Sequence, residues 1–180
     1  MFPLGLIRKN LVLYVSVFAR HLGATSVWLI LPLYLADMGA SYAVIGAIYA
    51  INSGMQFLIM PRIEHVKNER LINAGLLLSA FVCLGYTLAS TPLQVVPVQI
   101  LLALSWSCLY VGSLISLMKH NIEKATSVGM LNSVISISGI FGPLLGGAVS
   151  QLWGFHAVMY AAAGLSVIGF LLFRFRNENY

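Results

Sequence analysis

The first long apolar segment of the chain runs from Asn10 to Ala36 and reads NLVLYVSVFARHLGATSVWLILPLYLA. A helix rises about 1.5 Å per residue, so this segment can cross a hydrocarbon core about 30 Å thick. The segment is apolar almost throughout, except for Arg20 and His21 near the middle. A cation at that depth costs roughly 2.5–3.5 kcal/mol on insertion scales and usually faces a bundle interior or a watery cavity. Arg20 is therefore the first candidate functional residue.

The composition of the 180-residue chain is that of an integral membrane protein. Hydrophobic residues make up 59% and charged residues 8%, with a mean hydropathy of +0.91, whereas a soluble domain carries about 25% charged residues. Cys83 and Cys108 lie within apolar segments and are predicted to be buried hydrophobes, not a disulfide or a metal site. We expect no cofactor. The first apolar run is too long for a cleavable signal peptide and is interrupted by Arg20.

Six apolar segments are long enough to span the bilayer as helices, which satisfy their own backbone hydrogen bonds in lipid. The connections between them are short, so we predict a single transmembrane domain over residues 1–180. The predicted spans cover about residues 10–36, 42–61, 71–90, 94–118, 125–150 and 155–173.

The basic residues outside the predicted spans all fall on one side of the membrane. Arg20 is the exception inside a span, and the opposite side has no Lys or Arg. The positive-inside rule therefore predicts a multi-pass plasma-membrane protein with both termini in the cytoplasm. Although the net charge is +5, these scattered charges lack interleaved aromatics and argue against nucleic acid as a partner. The residues on the basic side are Arg8, Lys9, Arg62, Lys67, Arg70, Lys119, Lys124, Arg174 and Arg176.

Polar and aromatic side chains recur at helical spacing on the first, second, fourth and fifth predicted helices, but not on the third and sixth. Such stripes can line a cavity for a small-molecule substrate. Asn, Gln and Ser can equally hold membrane helices together, and both interpretations stay open for Asn52 and Asn132. The candidate substrate-binding residues are Arg20, His21, Trp28, Tyr49, Asn52, Gln56, Gln99, Trp106, Tyr110 and Asn132.

No Asp or Glu lies in the central part of a predicted span. His21 is then the obvious candidate for a titrating group near neutral pH. Arg20 would be stabilised by an anionic ligand or by hydrogen-bonding side chains of the second and fourth helices. The basic pair favours an organic anion as the substrate, while aromatic and amide side chains would also suit a sugar-like solute.

The fifth predicted helix contains a run of small residues around a proline, SGIFGPLLGG from Ser138 to Gly147. Small residues let helix backbones approach closely, as in any packing face. The run also resembles the G-x-x-x-G-P-x-x-G-G motif of the major facilitator superfamily, with Ser138 in place of the first glycine. The stretches 32–46 and 153–155 are similar to the same family, so the resemblance covers nearly the whole chain.

The second loop departs from the family pattern. The family usually has G-x-x-x-D-R-x-G-R-R there, whereas residues 60–70 read MPRIEHVKNER. Glu64 and His65 fall at the acidic and basic positions, and both glycines are missing. The loop is therefore either a degraded gating element or a plain solvated connection.

The resemblance implies an all-α fold in which the first and fourth helices line a cavity, the second and fifth flank it, and the third and sixth are peripheral. Family members have twelve helices in two six-helix halves. This chain has one half, which we predict to be built from two inverted three-helix repeats. A weak internal sequence repeat supports this: Gly46, Asn52 and Pro61 correspond to Gly129, Asn132 and Pro143. Because six spans leave both termini on one side, two copies can pair in parallel as a closed homodimer.

We therefore predict a secondary transporter that works by alternating access in the lipid bilayer as a homodimer. One alternative is a non-transporting membrane assembly or regulatory module, which the missing carboxylates and the altered loop favour. Another is a truncated half of a longer transporter, although the initial Met and the polar tail fit a complete protein. An enzyme is the weakest interpretation, since the sequence has no clustered metal ligands, nucleophile elbow or phosphate loop.

Overall fold

The computed structural model describes residues 4–177, with side chains through Phe175. The secondary structure of this part of the chain is helical, and its five long helices are long and apolar enough to cross a membrane. The prediction of an all-helical membrane fold is confirmed. The elements are α1 (Leu4–Asp37), α2 (Tyr42–Ile59), a 3-10 turn (Met60–Arg62), α3 (Asn68–Leu88), α4 (Pro92–His120) and α5 (Lys124–Asn177).

The end of α1 is set by a glycine. Gly39 has a φ of +84°, a left-handed conformation that side chains disfavour. Its amide bonds to the carbonyl of Ala36 at 2.8 Å, and the amide of Ala40 bonds back to Leu35 at 3.0 Å. These bonds satisfy carbonyls that the helix would leave unpaired and turn the chain towards α2.

Helix α5 reverses direction at Gly154, where φ is 80° and ψ is 173°. Its 54 residues would measure about 80 Å if straight, far more than one bilayer crossing. We call residues 124–153 the first arm and residues 155–177 the second arm. The turn lets both arms pack along α1.

The contacts with α1 establish the direction of each arm. On the first arm, Ser127 lies beside Tyr14 and Gly142 beside Ser26, so this arm runs parallel to α1. On the second arm, Phe155 contacts Tyr34 while Gly169 lies against Ser16 further back along α1. The second arm is therefore antiparallel to α1, and the two arms form a helical hairpin.

The sequence predicts six helices, and the structure has five long helical elements, the last of which is divided into two arms by the non-helical Gly154. Residues 151–153, expected in a loop, stay helical up to Gly154, because one residue with positive φ suffices for the turn. Helix α1 also begins earlier than predicted, and α4 begins at Pro92, a residue suited to the first helical turn. The helix continues into the predicted polar tail, Arg174–Tyr180, while residues 1–3 and 178–180 lie outside the described range.

Buried apolar side chains form two clusters at opposite ends of the bundle. One joins the start of α1 to α3 and α4, with Val17, Leu76 and Leu109 at its centre. The other joins the end of α1 to α3 and the second arm, through Leu31 and Met159 among others. Since the clusters take up residues 13–17 and 27–35 of α1, the middle of that helix is left for polar groups.

Glycines bring α3 and α4 into close contact beside the first of these clusters. A Cβ at Gly75 would overlap the backbone of Leu109, and one at Gly112 would lie 2.8 Å from the Cβ of Leu71. Only glycine allows backbones to approach this closely, as is common between membrane helices. This approach places the hydroxyls of α3 and α4 within hydrogen-bonding distance of each other.

Candidate functional site

A cavity of about 300 Å³ lies in the polar layer between the two apolar clusters. Arg20, on its wall, is sixteen residues from Leu4 and seventeen from Asp37, so it lies about 24 Å from either end of α1. The volume is at the lower end of the range of small-molecule sites. The lining residues are Arg20, His21, Ala24, Thr25, Val27, Trp28, Asn52, Ser53, Gln56, Ser79, Val82, Cys83, Tyr86, Leu102, Trp106 and Ser166.

The guanidinium of Arg20 is held by hydroxyls rather than by a carboxylate. Its side chain is 2% exposed. Nε donates a 2.6 Å hydrogen bond to Oγ of Ser79, and Nη2 lies at the hydrogen-bonding limit, 3.5 Å from Oγ of Ser105. The guanidinium carbon also lies 5.1 Å from the ring centre of Trp106, within cation–π range.

The two serines are themselves fixed by one carbonyl. The hydroxyls of Ser79 and Ser105 donate to the carbonyl oxygen of Gly75 at 2.8 and 2.9 Å, and they lie 2.7 Å from each other. Their oxygens therefore point their lone pairs towards Arg20. The arrangement orients the guanidinium but leaves its positive charge without a negative partner in this cluster.

The carboxylates within the described range lie far from the cavity. Asp37 ends α1, Glu69 begins α3, and Glu64 and Glu123 lie in connections, all on exposed positions. The lining of the cavity contains none of them. The site therefore carries one buried cation and no buried anion among its lining residues.

Aromatic rings form part of the cavity wall. His21 lies 4.9 Å from Trp106, which stacks on Tyr110 at 5.3 Å. On the side nearer α2, Trp28 packs edge to face against Tyr49 at 4.3 Å, and the hydroxyl of Tyr49 donates to the carbonyl of Trp28 at 3.0 Å. The rings of Trp28 and Trp106 give the cavity an apolar, flat surface next to the cation.

An amide chain connects α2 to α4. Nε2 of Gln56 donates to Oδ1 of Asn52 at 2.6 Å, and Nδ2 of Asn52 donates to the backbone oxygen of Gln99 at 3.0 Å. Both ends of the Asn52 amide are thus engaged between helices. This geometry supports a helix-joining role for Asn52, although its side chain also lines the cavity.

Some buried polar atoms of the cavity residues have no hydrogen-bond partner within residues 4–175. They include the hydroxyl of Tyr86 and Nδ1 of His21. Tyr86 is 1% exposed, so water does not reach it from outside the bundle. A buried group left unpaired costs about 1–3 kcal/mol, which makes both atoms candidates for ligand contacts.

The sequence-predicted residues divide into three groups in the structure. Six of the ten line the cavity, namely Arg20, His21, Trp28, Asn52, Gln56 and Trp106. Tyr49 and Tyr110 lie behind the two tryptophans as packing partners. Gln99 is fully buried outside the cavity lining, with neither amide atom bonded to the described part of the chain, and Asn132 is exposed on the first arm.

The third and sixth predicted helices are not peripheral to this cavity, contrary to the expectation from the family. Helix α3 supplies four lining residues, and Ser166 comes from the second arm. The partners of Arg20 accordingly lie on α3 and α4, not on the second and fourth helices as predicted. Ser79, Cys83 and Tyr86 recur at helical spacing, a polar stripe that the sequence analysis did not recognise.

The run from Ser138 to Gly147 packs the first arm against the cavity helix α1. The hydroxyl of Thr25 donates to the carbonyl of Ser138 at 3.0 Å, and that of Ser26 donates to Gly142 at 2.9 Å. A Cβ at Gly146 would overlap the backbone of Ser26. The motif therefore positions the segment of α1 that carries the candidate site.

The second loop provides no ion pair between described residues. Glu64 and His65 are exposed, and the guanidinium of Arg62 donates to the carbonyl of Leu58, one turn earlier. This geometry agrees with a plain solvated connection.

Comparison with known proteins gives a family and a set of relatives. The sequence model described as "Major Facilitator Superfamily" matches residues 13–179. The chain is 30% identical over 160 residues to the multi-drug resistance efflux pump PmrA of Streptococcus pneumoniae, a match that covers 84% of this chain and 40% of the pump. It is 28% identical over 167 residues to the multidrug resistance protein MdtG of Erwinia billingiae, covering 87% of this chain and 40% of that protein. A further MdtG, from Dickeya zeae, is 26% identical over 166 residues, with 87% and 41% covered. The chain thus spans about two fifths of the length of these relatives.

Proposed function

We propose a transport function on one premise: the chain belongs to the major facilitator superfamily. The function is secondary transport of a small solute by alternating access across the plasma membrane, with both termini in the cytoplasm. The observation that carries it is the cavity at mid-membrane depth, which combines Arg20 with aromatic and amide side chains. Transporters of this kind bind their substrates near the bilayer midplane.

The direction of transport is proposed from the relatives. The printed names of PmrA and MdtG describe multidrug resistance, and that of PmrA describes efflux. By analogy, this chain takes part in the export of compounds with an apolar body. The rings of Trp28 and Trp106 on the cavity wall suit such a compound.

The transmembrane topology in this proposal has six crossings. The helical hairpin of α5 supplies two of them, because each arm is long enough to span a hydrocarbon core and the arms run in opposite directions along α1. The six crossings form one half of the twelve-helix architecture and correspond to two inverted three-helix repeats.

The second half is proposed to be another copy of this chain, in parallel orientation. Helix α2 is largely unburied: Ile48 and Asn52 are its buried residues. At several glycines on α2 and the first arm, an added Cβ would meet nothing within 4 Å, so these positions leave small, flat surfaces of the kind that membrane proteins typically use for helix contacts. These glycines are Gly46, Gly54, Gly129, Gly139 and Gly147.

Solute counterflow into proteoliposomes tests the transport function. The probes are 1-naphthalenesulfonate, the neutral 1-naphthalenemethanol and the cation trimethyl-1-naphthylammonium, so that the outcome does not depend on the charge of the substrate. We expect protein-dependent exchange of at least one probe, abolished by Ala24→Trp, which fills the cavity. Ala161→Trp, a matched change on the exposed side of the second arm, should leave exchange intact.

Absence of exchange of all three probes by a folded protein would overturn the transport function and favour a non-transporting module. Native mass spectrometry from nanodiscs tests the assembly separately. A dimer is expected, and a monomer that still exchanges a probe would refute the homodimer.

A further inference from the structure

The charge of the cavity restricts the kind of solute that it can hold. Arg20 is buried, and its two recorded hydrogen-bond partners are neutral hydroxyls. A buried cation with an uncompensated charge is costly, and hydrogen bonds to an anion are about twice as strong as those to neutral groups. An anionic group entering the cavity would therefore gain more than a neutral group of the same size.

A second observation points to the same ligand chemistry. The hydroxyl of Tyr86 is buried at the cavity and has no partner in the described structure. A tyrosine hydroxyl can donate one hydrogen bond. An acidic head group next to Arg20 would supply the acceptor that this hydroxyl lacks.

The remaining wall of the cavity suits an apolar body. Val27, Val82 and Leu102 contribute aliphatic surface, and Trp28 and Trp106 contribute aromatic faces. The volume of about 300 Å³ accommodates a solute of about two fused rings rather than a whole two-chain lipid.

We propose that the cavity binds an amphiphilic organic anion, with its acidic head group on Arg20 and Tyr86 and its apolar body along Trp28 and Trp106. This inference rests on the proposed transport function and names the substrate class of the same site. The sequence left two substrate classes open, an organic anion and a sugar-like solute. The proposal selects the organic anion, because a sugar-like solute has no negative charge to place beside the guanidinium.

Isothermal titration calorimetry on the full chain in phosphatidylcholine nanodiscs tests the proposal, with empty nanodiscs subtracted. The three naphthyl probes share one ring system and differ in the charge of the head group. The wild type should bind 1-naphthalenesulfonate about tenfold or more tighter than 1-naphthalenemethanol, because the sulfonate forms charge-assisted hydrogen bonds. The trimethyl-1-naphthylammonium cation should bind most weakly.

Two variants test which residues cause the preference for the anionic probe. Arg20→Gln should bring the affinities for the anion and the neutral probe to within about twofold of each other, because the guanidinium is the source of the preference. Tyr86→Phe removes only an unpartnered hydroxyl, so it should melt at or above the temperature of the wild type and lose about threefold or more of the sulfonate affinity. If Arg20→Gln fails to fold, the sulfonate affinity of Tyr86→Phe alone tests the proposal. Arg62→Gln, outside the cavity, should change none of the affinities.

Equal binding of the anion and the cation by the wild type would overturn the anion assignment and leave the transport function standing. Failure of every probe to bind would overturn both. Phosphatidylglycerol in the nanodiscs distinguishes a solute site from a lipid head-group site: sulfonate binding should persist within about twofold. Its complete loss would assign the site to an anionic lipid and contradict a solute substrate.

Discussion

Arg20 on α1 donates a 2.6 Å hydrogen bond from Nε to Oγ of Ser79 on α3. The same hydroxyl donates to the carbonyl of Gly75, so the guanidinium is tied to the backbone of α3 through a single oxygen. The bond fixes the position of the cavity cation without neutralising it. Mutation can therefore separate the contribution of the Arg20–Ser79 bond to stability from the contribution of the Arg20 charge to ligand binding.

Replacing Ser79 with Ala should lower the free energy of unfolding by about 1–3 kcal/mol, because a buried N–H of Arg20 loses its acceptor. Thermal unfolding in nanodiscs measures the change. Ser133→Ala is the matched control, since this exposed hydroxyl bonds only within its own helix, to Gly129. Equal melting temperatures for the two variants would show that the Arg20–Ser79 bond contributes no stability.

Alanine at Gly146 should destabilise the protein by about 1–3 kcal/mol, because the new Cβ would overlap the backbone of Ser26 and force α1 away from the first arm. Gly164→Ala, on the second arm, places its Cβ in open space and should be neutral or slightly stabilising. Melting temperatures of the two variants provide the comparison. A larger loss for Gly164→Ala than for Gly146→Ala would contradict the packing described for this motif.

Leucine at Asn52 should lower the free energy of unfolding by about 0.5–2 kcal/mol, because the amide chain from Gln56 to the carbonyl of Gln99 is broken. Asn132→Leu, at an exposed position, should stay within about 0.5 kcal/mol. Both can be followed by thermal unfolding in lipid. If Asn52→Leu is neutral and weakens probe binding, the residue serves the ligand and not the helix contact.

Much of the fold could be predicted from the sequence because spanning segments are defined by length and apolarity. The motif from Ser138 to Gly147 and the cavity residues of α1 could also be recognised from the sequence, because small or charged residues differ clearly from the apolar residues around them. The break at Gly154 was expected as a short loop, but a single positive φ lets the helix run up to it. The position of the turn was therefore nearly right, although the helix extends further towards it than the sequence analysis predicts.

The contribution of α3 could not be predicted by the same criteria. Ser79 is an unremarkable residue in a membrane helix, because its hydroxyl can bond to the carbonyl four residues earlier, as it does with Gly75. Its importance comes from Arg20, which lies fifty-nine positions away in the sequence. Gln99 shows the converse error: helical spacing placed it with Trp106 on one stripe, but it is buried outside the cavity lining.

The proposed topology predicts which connections are accessible from outside the cell. A cysteine at Ser41, between α1 and α2, should react with a membrane-impermeant maleimide on intact cells, whereas a cysteine at Glu64 should react only after permeabilisation. The natural Cys83 and Cys108 are buried and should stay unlabelled. Labelling of the Glu64 position on intact cells would show that the protein has the opposite orientation in the membrane.

The central claim is that the cavity around Arg20 is where the solute binds, and photoaffinity labelling tests it most directly. A diazirine derivative of 1-naphthalenesulfonate would be bound in nanodiscs, activated by light, and its adducts mapped by peptide mass spectrometry. The account predicts adducts on cavity residues such as Trp28, Val82 and Trp106, displaced by excess unlabelled sulfonate and strongly reduced in Arg20→Gln. Adducts confined to outward-facing residues such as Phe57 and Leu144, unchanged in Arg20→Gln, would contradict it.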